Sequence, residues 1–187
     1  PVGKQDRKAL DQVGEFAYVA RPAVVRQGGD RRWRQTHRPA FLVFDSLDQA
    51  AKIREKSDDM LMKLIEDRSP EYAAMFFDAK GPTFRHDIYR AYKANRPPMP
   101  EDMVVQLPYI RQVTEAFSLP IFEMPGYEAD DLIGTMARLA EQAGFEVVMV
   151  TSDKDFVQLI TEKTSIYDPM KDVITDIESV RSQYGIA

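Results

Sequence analysis

The order of apolar runs along the chain constrains its fold most strongly. From Ala40 onward, short apolar runs alternate with longer segments in which apolar residues recur every three or four positions. Short runs are typical of buried parallel strands, and the longer segments are typical of the helices that connect them. The runs span residues 41–44, 72–77, 119–122, 145–150 and, more weakly, 165–167. The sequence therefore predicts an α/β fold in which helices cover a parallel sheet.

The segments between the runs predict the helices. Their periods place helices over residues 47–66, 100–117, 131–143 and 155–160. The helix at 100–117 opens with Pro100, Glu101 and Asp102, which suit a first helical turn because proline needs no donor there and acids favour the helix N-terminus. Three prolines within residues 95–100 make that stretch non-helical.

The first part of the chain differs from the rest in composition. Residues 21–38 contain six arginines against a single acid, Asp30, and residues 1–39 show no sustained apolar period. We interpret residues 1–39 as an atypical, arginine-rich and poorly ordered segment, and residues 40–187 as one α/β domain.

Composition excludes several kinds of site and location. The chain has no cysteine, which excludes disulfides, thiolate zinc sites and cysteine nucleophiles. Its apolar runs are far shorter than the ~20 residues that span a bilayer, and residues 1–8 do not resemble a signal peptide. We therefore expect a cytoplasmic protein with no membrane partner. The net charge of −5 argues weakly against unspecific nucleic-acid binding.

Carboxylates follow the apolar runs at the points where the predicted strands end. Single acids lead out of the first two runs, and pairs or clusters lead out of the next two; they are Asp45, Asp78, Glu128, Asp130, Asp131, Asp153 and Asp155. Ligands of open parallel sheets bind at the carboxyl ends of the strands. One such aspartate alone is more often a helix cap. Several on one edge would repel each other and have raised pKa values unless a cation neutralised them.

The residue types indicate a hard cation. Every candidate ligand is an oxygen, and neither His37 nor His86 has a ligand-like spacing. Magnesium or manganese fits such a site, whereas zinc favours histidine and cysteine. With so many acids we expect two ions ~3.5–4 Å apart, which is the arrangement for hydrolysis of a phosphodiester.

A basic and aromatic segment follows Asp78. If residues 83–96 form a helix, five side chains share one face through steps of three and four, namely Arg85, Tyr89, Tyr92, Lys93 and Arg96. Such a face can bind phosphates and stack on bases. An ordinary solvated helix is the alternative, but the position beside Asp78 favours a functional role.

Four motifs in unbroken order resemble one family. Residues 77–85, 92–100, 126–131 and 152–155 closely resemble the 5′-to-3′ exonuclease domain of bacterial DNA polymerase I, and the match covers about residues 60–187. The resemblance implies a PIN-like, three-layer sandwich with a mostly parallel twisted sheet and a helical arch. It also implies a structure-specific nuclease of replication and repair that removes 5′ flaps or RNA primers with two divalent ions.

The resemblance also assigns roles by position. It implies that the metal ligands are Asp78, Glu128, Asp130, Asp131, Asp153 and Asp155. Lys93 and Arg96 correspond to the arch cations that grip the scissile phosphate, and Lys93 would stabilise the developing charge. Arg85, Tyr89 and Tyr92 would contact the DNA strand. The implied partners are DNA with a 5′ end or flap, an RNA–DNA hybrid, and a polymerase domain in the same or another chain.

Two parts of the sequence depart from the family pattern. Phe44, Asp45 and Ser46 are the only residues that correspond to its first-strand motif, and they lack its glycine. The sequence also ends before the family's further aspartates and its glycine-rich duplex-binding motif. Two other hypotheses therefore stay open: a catalytically weak nucleic-acid-binding or partner-docking remnant, and a different magnesium-dependent phosphohydrolase on a similar sheet.

Overall fold

The computed structural model describes the backbone of residues 40–45 together with residues 64–65, 68, 70–169 and 171–185. The predicted poorly ordered segment 1–39 and most of the predicted helix 47–66 lie outside the described residues. Leu64, Ile65 and Arg68 are helical.

Six strands of the described chain form one sheet in the order β3-β2-β1-β4-β5-β6. Their bounds are β1 Ala40–Asp45, β2 Tyr72–Phe76, β3 Ile121–Phe122, β4 Glu146–Val150, β5 Thr164–Asp168 and β6 Val173–Thr175. The first five are parallel, and β6 runs antiparallel to β5. Each of the five apolar runs forms a strand, so the prediction of a mostly parallel sheet is confirmed. The sequence did not predict β6, because Val173 and Ile174 are partly exposed and belong to no apolar run.

The register aligns the carboxyl ends of the central strands. Strand β1 lies between β2 and β4, where Phe44 pairs with Met75 on one side and Val150 on the other. The Cα of Asp45 pairs with that of Phe76, so the chain leaves β1 and β2 at the same edge. The acids that follow these strands therefore leave the sheet together.

The helices differ in detail from their predicted bounds. They are α1 Phe84–Ile88, α2 Glu101–Val104, α3 Leu107–Ala116, α4 Ala129–Gln142 and α5 Ile177–Tyr184, with a 3₁₀ helix at Lys154–Leu159. The predicted helix 100–117 is two helices, because Pro108 lacks a donor and lies in the first turn of α3. The predicted helix 155–160 is the 3₁₀ helix. None of the helices in the described ranges is long and apolar enough to cross a membrane.

Alternating side chains of the central strands build two cores. Phe76 and Met149 face a cluster completed by α4, whereas Met75 and Val150 face a second cluster completed by α3, Leu64 and Ile65. A strand places successive side chains on opposite faces, so the sheet is covered on both sides. The three-layer sandwich predicted from the sequence is thereby confirmed.

Helix α4 approaches the 3₁₀ helix closely at Gly134. A Cβ atom built on Gly134 would lie 3.3 Å from Cδ1 of Leu159, which is tighter than most contacts of that kind. The lack of a side chain at Gly134 therefore allows this close approach.

We expect Met149→Ala to destabilise the protein by about 2–5 kcal/mol, because it leaves a cavity at a fully buried site in the middle of the sheet. Urea denaturation measures the loss. Val104→Ala is the control, since Val104 is 49% exposed on α2 and its truncation should change the free energy of unfolding by less than about 0.5 kcal/mol. Equal effects of the two substitutions would contradict the assignment of the core.

Candidate active site

Carboxylates from three stretches of the chain gather around the N-terminus of α4. Asp78, which follows β2, accepts a hydrogen bond of 2.6 Å from the backbone N–H of Ala129 through its Oδ1 atom. Glu128 precedes Asp130 and Asp131 in the first turn of α4. Asp153, which follows β4, lies close enough to Asp130 to act on it electrostatically. The predicted proximity is therefore observed for Asp78, Glu128, Asp130 and Asp153.

Asp130 experiences an excess of negative charge. Partial removal of water raises its pKa to about 6, and the charges of Asp153, Asp78 and Glu128 add to the effect, although Lys93 opposes it. Two of these neighbours belong to other stretches of the chain. A cation placed here would stabilise the ionised carboxylates.

Asp131 is neutralised by a cation of the protein itself. Both terminal nitrogens of Arg85 donate to the two carboxylate oxygens of Asp131, at 2.7 Å each. The backbone N–H of Glu128 donates to the same carboxylate at 3.0 Å. Desolvation alone would raise the pKa of Asp131, but these donors outweigh it and lower the pKa below its ordinary value. Arg85 and Asp131 thus form a bidentate ion pair.

Glu128 has three partners in the basic segment. Nζ of Lys93 lies 2.7 Å from its Oε1, and the hydroxyl of Tyr92 donates to its Oε2 at 3.1 Å. A terminal nitrogen of Arg85 is 3.7 Å from Oε2. Glu128 is only 8% exposed, so its charge requires such partners. Desolvation acts to lower the pKa of Lys93, but the hydrogen bond to Glu128, the charge of Glu128 and the nearby Tyr92 together outweigh it and raise the pKa.

The basic segment is not the continuous helix that the spacing predicted. The prediction that its five side chains share one helical face is therefore wrong. Helix α1 ends at Ile88, Tyr89 is extended with φ −139° and ψ 101°, and residues 90–95 form turns. Lys93 has a φ of 56°, a left-handed conformation that is uncommon for residues other than glycine. In a continuous helix Arg85 and Lys93 would lie about 12 Å apart along the axis. The turns instead bring both to the first turn of α4.

The other predicted site residues lie further from these pairs. Tyr89 is 63% exposed, and Arg96, Asp153 and Asp155 are also exposed. The backbone N–H of Asp155 donates to Asp153 at 2.8 Å, which caps the 3₁₀ helix. Arg96 lies close enough to Lys93 to oppose the rise of its pKa. The side chain of Asp45 lies outside the described residues.

The acids do not form a ready-made metal site. Within the part of the chain that the structure describes, no three His, Cys, Asp or Glu side chains are grouped so that they could hold a metal ion. Asp78, Glu128 and Asp131 are each engaged by donors of the protein, namely Ala129, Lys93 and Arg85. The donors are all oxygens, and the raised pKa of Asp130 marks negative charge that suits a hard divalent cation. The metal-ligand assignments stay predictions.

His86 also lies in this region and contacts two residues of the basic segment. Its spacing in the sequence excluded it as a metal ligand, and no other role was predicted for it. Its Nδ1 atom accepts a hydrogen bond of 3.0 Å from the backbone N–H of Thr83, the N-cap of α1. Its ring meets that of Tyr92 edge-on at 5.4 Å. The spacing of Thr83 and His86 is that of a capping box, which is the sequence signal that could have indicated this role.

Comparisons with known proteins are consistent with this geometry. Residues 37–185 match the model of the 5′-3′ exonuclease, N-terminal resolvase-like domain. DNA polymerase I of Rhizobium leguminosarum is 44% identical over 135 residues, which cover 68% of this chain and 13% of that protein. The 5′-3′ exonuclease of Aquifex aeolicus is 39% identical over 127 residues, covering 68% of this chain and 44% of that protein. The chain thus spans less than half the length of these relatives.

A solved structure shares the fold. A bacteriophage T5 flap endonuclease, in a pseudo-enzyme–product complex with DNA and metal ions, superposes with a TM-score of 0.65 at 17% identity. The superposition covers 79% of this chain and 61% of that one.

We expect Arg85→Gln to destabilise the protein by about 1 kcal/mol at neutral pH, because the ion pair with Asp131 is partly exposed. The lowered pKa of Asp131 means that its stabilising effect is present above the ordinary pKa of about 4 and is lost as the pH falls through the lower folded value. Urea denaturation at pH 7 and pH 3 tests this, with a double-mutant cycle to Asp131→Asn. A pH-independent loss would contradict an ion-pair origin.

We expect Asp130→Asn to stabilise the protein in chelator at pH 7.5 and to have little effect at pH 4. The raised pKa of Asp130 means that the folded protein holds a proton more tightly than the unfolded chain does. Stability is therefore lost as the pH rises from about 4 to about 6, and asparagine removes that loss. Thermal melts at the two pH values measure the difference. A lower melting temperature at pH 7.5 would show that the charge of Asp130 is already compensated.

Proposed function

The chain belongs to the family of the 5′-3′ exonuclease N-terminal resolvase-like domain, and on that premise we propose that it is a metal-dependent nuclease. It hydrolyses phosphodiester bonds at 5′ ends or flaps of DNA. In this proposal, the protein acts in DNA replication and repair.

One observation carries this proposal: cations and carboxylates meet at the carboxyl edge of the sheet. Arg85 and Lys93 lie within 2.7 Å of Asp131 and Glu128, respectively, and desolvation together with the surrounding acids raises the pKa of Asp130. A phosphodiester is an anion that needs both a cationic grip and, for hydrolysis, charge stabilisation at the reacting oxygen atoms. A small-molecule phosphatase has no evident need for the aromatic rings of Tyr89 and Tyr92 beside these cations.

We assign the metal to the same acids. The cofactor is Mg²⁺ or Mn²⁺, with two ions held by Asp78, Glu128, Asp130, Asp131, Asp153 and Asp155, and with Asp45 as a further ligand. When bound, such ions supply a hydroxide at neutral pH and stabilise the leaving oxygen. All candidate donors are oxygens, which magnesium and manganese prefer.

The cations of the protein act on the substrate phosphate. Lys93 and Arg96 are the catalytic cations that grip the scissile phosphate and stabilise its charge. Arg85, Tyr89 and Tyr92 bind the DNA strand through its phosphates and bases. Arg85 and Lys93 exchange their carboxylate partners for phosphate oxygens when the substrate binds, since both interactions use the same donors.

The relatives and the composition support further proposals on the second substrate, the partner, the domain bounds and the location. RNA–DNA hybrids, such as primers, are a second substrate, and a polymerase domain in the same or another chain is the partner. Residues 40–187 form the nuclease domain, residues 1–39 are a separate arginine-rich segment, and the protein acts in the cytoplasm.

A fluorescent 5′-flap substrate tests the proposal. We expect cleavage in Mg²⁺ or Mn²⁺, none in chelator, and a loss of at least about 100-fold in Asp130→Asn, because removing one charge-stabilising group of a preorganised site costs that much. The same variant is expected to stay folded, so its melting temperature is the control for the loss of activity.

The alternatives give different results. Binding of the flap without cleavage in either metal contradicts the proposed activity and indicates a nucleic-acid-binding remnant. Cleavage that persists in chelator contradicts the metal dependence. A matched substrate with an RNA 5′ segment tests the hybrid.

A further inference from the structure

The basic segment has little apolar contact to hold it in place. The five residues of α1 include none that is buried, and Ile88 is 79% exposed. A helix of this length is not stable by itself. The positions of Tyr92 and Lys93 on Glu128 must therefore depend on specific polar and aromatic contacts.

His86 provides two of these contacts. Its Nδ1 atom accepts the backbone N–H of Thr83 at 3.0 Å and lies 3.2 Å from the hydroxyl of that residue. An acceptor at Nδ1 requires that this nitrogen carries no proton. This contact fixes the first turn of α1, and Thr83 itself is buried.

The second contact of His86 is between its ring and the ring of Tyr92. The two rings are perpendicular, with centroids 5.4 Å apart, which is a favourable edge-to-face geometry. Tyr92 donates to Oε2 of Glu128, and Nζ of Lys93 lies 5.3 Å from the Tyr92 ring while it contacts Oε1 of Glu128. The chain reverses between the two rings, because Tyr89 is extended and the Tyr92 N–H donates to the Tyr89 carbonyl at 2.9 Å.

We infer that His86 is a positioning residue of this site: by joining the N-cap at Thr83 to the ring of Tyr92, it holds Tyr92 and Lys93 against Glu128. His86 touches neither the carboxylates nor, in this inference, the substrate. The expected effect of His86 on kcat rests on the proposed nuclease function, but its effect on the positions of Tyr92 and Lys93 does not. The left-handed backbone of Lys93 is a strained conformation that such surrounding contacts must maintain.

Two substitutions separate the contacts of His86. His86→Asn keeps an oxygen that can accept from Thr83 but removes the ring, whereas His86→Phe keeps a ring beside Tyr92 but removes the acceptor. Because both contacts are needed, each variant should lower kcat for flap cleavage by about five- to tenfold, the effect of losing one cap or one ring contact. KM should change little. The melting temperature should fall in His86→Phe, which leaves the Thr83 N–H without this acceptor, and should change little in His86→Asn, which keeps one. Ile88→Ala, an exposed truncation in the same helix, is the control.

A second measurement does not depend on activity. In metal-free buffer, the backbone amide signals of Lys93 and Glu128 in ¹⁵N NMR spectra should shift in both His86 variants and not in Ile88→Ala. If either His86 variant matches the wild type in kcat and in these signals, the inference is overturned. If kcat falls only together with the melting temperature while the amide signals are unchanged, it is overturned as well. If the wild type cleaves no 5′-ended substrate, the proposed function fails, and the amide signals alone decide the role of His86.

Discussion

The ion pairs of Arg85 with Asp131 and of Lys93 with Glu128 determine where the segment between β2 and α2 lies. Helix α1 contributes no buried side chain, so the hydrophobic effect stabilises the position of this helix only weakly. The partly exposed pair of Arg85 with Asp131 contributes about 1 kcal/mol or less, whereas the buried Glu128 depends more strongly on a cationic partner. Arg85 is therefore held weakly enough for another anion to compete for it. In the proposed function, this competition is the physical basis for binding a phosphate beside carboxylates.

The carboxylates in turn depend on the parallel sheet. Strands β1, β2 and β4 end at one edge, and Asp78 extends from β2 to the backbone of Ala129 at the start of α4. The N-terminus of a helix favours negative charge, which offsets part of the repulsion among these acids. Asp130 retains a raised pKa because it is partly desolvated and because its acidic neighbours outnumber the cation that acts on it. The fold thus brings the acids together at an energetic cost that a bound cation would remove.

The sequence predicted the sheet and the gathering of acids because both depend on patterns that are local in the chain. Apolar runs of suitable length formed strands, and four of the acids that follow them, Asp78, Glu128, Asp130 and Asp153, lie close together. The basic segment was predicted wrongly, because its period suits a helix whereas contacts with Glu128 and Asp131, about 35–46 residues further along the chain, determine its path. Strand β6 was missed since an edge strand buries too little to require an apolar run. The pairing of Arg85 with Asp131 depends on side-chain positions in space, and no local spacing indicates it.

The close approach of Gly134 to Leu159 joins the two elements that begin with two pairs of acids. Asp130 and Asp131 begin α4 one turn before Gly134, and Asp153 and Asp155 begin the 3₁₀ helix that ends at Leu159. A methyl group at position 134 would require the side chain of Leu159 to move by a few tenths of an ångström. Oxygen–metal bond lengths tolerate deviations of only about 0.2 Å. Although Gly134 touches no carboxylate, a side chain there would press on the element that begins with Asp153 and Asp155, two of the proposed metal ligands.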